Sequence, residues 1–140
     1  MNARATDALI KLSDTDETIA NTDEDIRDRT VVDRDGDELG KVKDLLIDRA
    51  EGKVRILEVA SGGFLGIGQD LVFIPVDAIA AISADEVRVD ETRGRVADAP
   101  VYDPELIREP ETYGGLFDYY GYEPFWGPGY LYPGYPYYPR

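Results

Sequence analysis

Apolar and polar positions alternate at short range through the middle of the chain, and the alternation is broken at regular intervals by Asp and Gly clusters. That period of two is the mark of half-buried strands, and Asp-Gly clusters mark the turns between them. Thr30, Val31 and Val32 form a short β-branched run. The segment Asp33-Arg34-Asp35-Gly36-Asp37 reads as a tight turn, and Leu39 to Asp48 as a second strand. Arg49 to Gly52 is another turn. Lys53 to Ala60 is a third strand, expected to place Val54 and Ile56 on one face and Arg55, Leu57 and Val59 on the other. A glycine-rich stretch, Ser61 to Gln69, leads into the apolar strand Leu71 to Val76. Pro75 donates no ladder hydrogen bond, so this strand belongs at an edge or a bulge. Ala78 to Ile82 reads as a short turn or 3₁₀ segment, and Glu86 to Asp90 as the last strand. Five or six short strands at this spacing predict an all-β fold, a small antiparallel barrel or sandwich.

The flanks differ from this core. Residues 1–25 form a polar, acidic leader with one apolar cluster, Ala8, Leu9, Ile10 and Leu12, too short for a stable isolated helix. Residues 26–99 hold nearly all the Val, Ile and Leu. Residues 100–112 are a linker rich in charge and proline. Residues 113–140 are a low-complexity tail with nine of the ten tyrosines, six glycines and five prolines. Gly and Pro are expected to keep this tail from forming regular helix or interior strand. Three readings of it stay open: an adhesive tail that joins other proteins, a strap that covers an apolar face of the barrel, and a stacking surface for single strands or carbohydrate. A core of about 75 residues is marginal alone, so dimerisation or packing of the flanks is expected to help it.

Composition narrows the chemistry. The 140 residues carry 29 Asp and Glu against 15 Lys and Arg, a net charge of −14, with no His and no Cys. Disulfides, thiolate nucleophiles, cysteine-ligated metals and His-dependent triads are excluded. The negative charge disfavours nucleic acid and anionic lipid. It is spread along the chain: residues 1–30 contribute −4, 31–99 contribute −6 and 100–140 contribute −4. Acidity is therefore a general coat and not one site. No stretch approaches the ~20 apolar residues of a membrane span, so the expected setting is cytoplasmic, without membrane insertion.

Two motifs invite a stronger reading. Asp33, Asp35 and Asp37 have the spacing of the first three ligands of a calcium loop. The sixth position, however, is Glu38 where Gly is needed, and the twelfth is Asp44 where Glu is usual. The hairpin turn is the favoured reading and calcium the weak one. The run Gly62-Gly63-Phe64-Leu65-Gly66-Ile67-Gly68 lacks the order of a dinucleotide fingerprint and precedes a strand. Its Phe64, Leu65 and Ile67 either cap the barrel or form a contact surface. With the tail residues Tyr119, Tyr120, Tyr122, Phe125, Trp126, Tyr130 and Tyr132, they are the candidate partner-binding residues.

A set of matches in order carries a family resemblance: Asp25-Ile26-Arg27, Val31-Val32-Asp33, Asp35-Gly36, Leu39-Gly40-Lys41-Val42, Asp44 to Asp48, Lys53-Val54-Arg55, Gly63 to Gly68 and Ile74-Pro75-Val76. Residues 26–99 resemble the PRC-barrel family, named after the cytoplasmic domain of the photosynthetic reaction centre H subunit. The resemblance implies short antiparallel strands closing into a small barrel, no enzymatic activity, no cofactor, and a role as an interaction module. Stand-alone bacterial members are commonly stress- or envelope-associated.

The expected function is thus a non-catalytic scaffold module, a homodimer whose protein partner has a basic surface. Two alternatives are an auxiliary of a membrane electron- or proton-transfer complex and a Ca²⁺-dependent binder.

Overall fold

In the computed structural model, residues 8–14, 26–48, 53–61, 71–100 and 102–122 are described. They form seven strands in one sheet and two short helices. The strands are β1 (Ile10–Lys11), β2 (Thr30–Val32), β3 (Glu38–Asp48), β4 (Lys53–Ala60), β5 (Leu71–Pro75), β6 (Ile79–Ile82) and β7 (Glu86–Val89). The helices are α1 (Arg93–Ala97) and α2 (Pro110–Tyr120). The sheet runs β5-β4-β3-β2-β7-β6, with β1 added to β3. Strand β3 is long enough for two partners on one edge: β2 pairs its first half and β1 its second, at Ile10↔Ile47 and Lys11↔Leu46. The all-β class stands, and within the stretch read as a leader, β1 joins the sheet.

Two details depart from the expected all-antiparallel, closed barrel. Strands β2 and β7 pair in parallel, as the long excursion between them allows. The ladder also stays open between β5 and β6 among the described residues. These strands are consecutive, joined by a 3₁₀ turn at Val76–Ala78. The covalent chain rounds the corner there, and Pro75 brings no N–H to the edge. The 3₁₀ turn therefore falls earlier than expected, and Ile79–Ile82 is a strand, held by pairing with β7 despite two alanines.

Strand β4 and the second half of β3, Asp44 to Asp48, are buried on both faces, which is why they read as nearly continuous apolar runs, whereas Glu38, Lys41 and Lys43 in the first half of β3 are exposed. Leu39, Val42, Leu45, Ile47, Val54, Leu57 and Val59 point inward with Val31, Ile74 and Val87. Leu46, Ile56 and Phe73 point outward, under Leu9, Ile107 and α2. Val54 and Ile56 thus lie on opposite faces, which corrects the simple alternation. The cause is a register shift: Leu46 pairs Ile56 while Ile47 pairs Val54, leaving Arg55 as an extra residue. A bulge of this kind reverses the parity of the strand.

Gly40 sits where β3 passes closest to the end of β4. It has φ +147°, and a Cβ there would lie 2.2 Å from the Ala60 carbonyl oxygen. Only glycine fits both restrictions.

Helix α2 begins inside the linker and runs into the tail, so regular helix does form over residues 113–120. Pro110 occupies the first turn, where its missing N–H costs nothing, and Gly121 closes the helix with φ +79°. The amides of Gly121 and Tyr122 donate back to the carbonyls of Asp118 and Phe117 at 3.2 and 3.1 Å, the double bond of a glycine-terminated helix. Tyr113, Leu116, Phe117 and Tyr120 recur at i, i+3, i+4 and i+7, and all four are buried.

Candidate functional site

The outer face of β3, β4 and β5 divides into an apolar half and a charged half. Asp44, Glu58 and Phe73 are cross-strand neighbours in one row, as are Leu46, Ile56 and Pro75 in the next. The apolar half is covered by α2. The charged half is engaged by Lys11 and Ser13, which β1 pins alongside β3, while Leu9 packs with the apolar half. The Ser13 amide donates to Asp44 Oδ1 at 3.2 Å, the Ser13 hydroxyl donates to Asp44 Oδ2, and the Leu45 amide donates to Asp44 Oδ1 at 2.8 Å. Lys11 Nζ stands 3.5 Å from Glu58 Oε1, with the Glu58 side chain 3% exposed. Burial pushes the Glu58 carboxyl above its ordinary range, opposed by Lys11 and reinforced by the Asp44 charge. This pair of buried acids, one hydrogen-bonded and one ion-paired, holds the N-terminal segment on the barrel.

The Asp33 turn is a second polar centre. Asp33 is 1% exposed. Its Oδ1 accepts from the amides of Asp35 at 2.8 Å and Asp37 at 2.9 Å, and its Oδ2 accepts from the Arg93 amide at 2.9 Å. Burial alone would raise this carboxyl. The amides of Asp37, Arg93, Asp35 and Gly36 outweigh it and hold the pKa below the ordinary value. Asp35 and Asp37 are exposed. The turn's carboxylate is therefore directed at backbone N–H groups, and it ties the β2–β3 turn to the start of α1. Among the described residues, no group of three or more His, Cys, Asp or Glu side chains is placed to hold a metal ion.

A third cluster joins α1 to the end of α2. Arg95 Nε lies 3.3 Å from Glu91 Oε1, and Tyr122 Oη donates to Glu91 Oε2 at 2.7 Å. Arg95 Nη2 donates to the Tyr119 carbonyl at 2.5 Å, and Tyr119 Oη donates back to the Arg95 carbonyl at 2.6 Å. The guanidinium also lies 4.8 Å from the centre of the Tyr119 ring. Tyr120 packs edge-on to Tyr119 at 4.9 Å. Burial pushes the Tyr120 and Tyr122 hydroxyls well above the usual tyrosine range, with Glu91 adding to both.

At the far end of β3 and β4, Asp48 Oδ2 takes two contacts from Arg55, at 2.8 Å from Nε and 2.6 Å from Nη2. Beside β5, a shallow notch is lined by Leu71, Val72, Phe73, Ala99, Pro100 and Tyr102, with no enclosed room for a water molecule.

Of the residues proposed from sequence as partner-binding, the structure brings Tyr119, Tyr120 and Tyr122 together around Glu91 and Arg95. Tyr120 is buried, and Tyr119 and Tyr122 are half-buried. Phe64, Leu65, Ile67, Phe125, Trp126, Tyr130 and Tyr132 lie outside the described residues. Lys11, Glu58, Glu91 and Arg95 escaped the sequence reading, and Asp44, weighed there only as the last position of a calcium loop, instead accepts from Ser13. The one legible signal was an acid interrupting an apolar strand, as Glu58 does in KVRILEVA.

The family model for the PRC-barrel domain matches residues 20–96, more than half of the chain. The chain belongs to the PRC-barrel family. The match takes in β2 to β7 and α1, and stops before α2. In this PRC-barrel chain the flanks beyond the matched region thus supply both covers of the outer face. No curated protein matches it. Among the described residues, no helix is long and apolar enough to cross a membrane.

Proposed function

We propose that this PRC-barrel chain is a non-catalytic interaction and scaffold module that works as a homodimer in the cytoplasm. One observation carries the reading: the buried acids among the described residues are committed to holding elements together. Asp33 is engaged by amides, Asp44 by Ser13, Asp48 by Arg55, Glu58 by Lys11 and Glu91 by Arg95 and Tyr122. Both faces of β4 are packed. The proposed contacts are the sheet edges together with Phe64, Leu65, Ile67 and the aromatic residues beyond Tyr122, which lie outside the described residues. The acidic coat favours a partner with a basic surface and repels acidic ones. Light scattering tests the dimer. A mass near twice the 15.6 kDa chain is expected, and a strict monomer at high concentration would remove the claim. Affinity capture with full-length protein and with a variant lacking residues 123–140 tests the aromatic contribution.

A second reading, an auxiliary of a membrane proton- or electron-transfer complex, draws on Glu58, a buried carboxyl with raised proton affinity beside Asp44. If Glu58→Gln left proton uptake by a co-purified complex unchanged, that reading would fail.

A further inference from the structure

Helix α2 combines a strong docking face with a weak helix. Its four buried side chains, Tyr113, Leu116, Phe117 and Tyr120, cover Leu46, Ile56 and Phe73. Between them lie Gly114 and Gly115. Neither has positive φ, and a Cβ at either would meet nothing within 4 Å. Packing and backbone geometry therefore do not call for glycine at these two positions. Their effect is to lower the intrinsic helicity of an eleven-residue segment that is already too short to be helical alone. The N-terminal end lacks a side-chain cap, since Glu109 makes none, and is supported only by Pro110 and Glu111 in its first turn.

The C-terminal end is fastened by a small cluster centred on Arg95. Arg95, on the five-residue α1, donates to the Tyr119 carbonyl, faces the Tyr119 ring and pairs with buried Glu91. Tyr122 closes the same cluster through Glu91. The Arg95 side chain is 45% exposed, so water can compete for it. By contrast, β4 is paired on both edges and buried on both faces. The two parts of the molecule should open with very different free energies.

We propose that α2 is a conditionally folded strap: it forms only when docked, it is fastened by Arg95, and it opens while the barrel stays folded. Each opening uncovers the outer apolar face of β3, β4 and β5. Gly114 and Gly115 set how often this happens. The strap is independent of the scaffold reading, since it acts within one chain whether or not the barrel dimerises.

Amide hydrogen exchange on the full-length chain tests it, comparing residues 113–120 with residues 54–59 of β4. The α2 amides should exchange by a local opening at least a hundredfold more frequent than the one that releases β4. Gly114→Ala with Gly115→Ala should slow the α2 amides about 25-fold, about fivefold per glycine, and leave β4 unchanged. Arg95→Ala should speed the α2 amides about tenfold, again without β4. Tyr119→Phe, which removes only the hydroxyl bond to Arg95, is a milder variant that should act in the same direction. Equal exchange of α2 and β4 in the wild type would overturn the proposal. So would glycine substitutions that slow both segments alike, because α2 would then belong to the global folding unit.

Discussion

Replacing Asp33 by Ala isolates the role of the turn carboxylate. The side chain accepts three backbone amides, two from its own turn and one from Arg93, sixty residues on. Hydrogen bonds to a charged group are worth about 1.5–3 kcal/mol each. Asp35 and Asp37 are exposed, so water can re-solvate their amides once the carboxylate is gone, which places the sum at the low end. The expected loss is about 4.5 kcal/mol for Asp33→Ala, and roughly half of that for Asp33→Asn, which keeps one acceptor oxygen. Asp35→Ala and Asp37→Ala, whose side chains point to solvent, should stay within about 0.5 kcal/mol of wild type. Urea unfolding followed by circular dichroism, with the slope unchanged between variants, measures these values. A calcium loop predicts otherwise: all three aspartates would matter equally in the presence of Ca²⁺, and Ca²⁺ would raise the midpoint of the wild type. That outcome, or a loss below about 1 kcal/mol for Asp33→Ala, would refute the capping argument.

The same acids make stability depend on pH with opposite signs. Glu58 binds its proton more tightly when folded, so stability should rise as pH falls from its raised folded pKa toward 4.5. Asp33 contributes fully above 3.8, and its contribution should be lost as pH falls through its lowered folded value. Melting curves of Glu58→Gln should lack the rise on the way to 4.5; a retained rise would assign it to another group. Gly40→Ala should cost at least ~3 kcal/mol, through a Cβ clash with backbone added to a φ that L side chains rarely adopt, and soluble protein with a wild-type melting temperature would contradict it. Leu57→Ala, in the interior, should take the full ~2–5 kcal/mol of a buried cavity. Phe117→Ala on α2 should fall short of the ~3–5 kcal/mol usual for a buried Phe, because undocking of the strap sets a ceiling on the loss. Equal urea midpoints for the two variants would argue against that ceiling.

Much of the barrel was legible because strand signals are local. Val31-Val32, the Asp-Gly turn at 35–36 and the run from Leu39 to Asp48 each announce themselves within a few residues. The parity of Val54 and Ile56 was not legible. It depends on a one-residue shift against β3, and nothing inside KVRILEVA marks Arg55 as the extra residue. Helix α2 was hidden by its own composition: Pro110, Gly114, Gly115 and Gly121 read as breakers. Pro110 and Gly121 are in fact its boundaries. The spacing of Tyr113, Leu116, Phe117 and Tyr120 was the signal that remained. The polar clusters were the least visible. Glu58 meets Lys11 and Glu91 meets Tyr122 across dozens of residues, the first through the order of β1, β3 and β4 and the second through the docking of α2.

The sequence by itself determined the class of this protein. Periodicity and turn residues specify an all-β fold of short strands, since hydrophobic alternation and backbone preferences act over a few residues, and the order of short motifs carries the resemblance to the PRC-barrel family. The absence of His and Cys narrowed the available chemistry in the same way. Only the tertiary structure decided how the flanks are used. Once β3 and β4 face apolar surface on both sides, the outer face must be covered to keep it from water. The chain covers it with Lys11 and Ser13 at one end and with the aromatic face of α2 at the other.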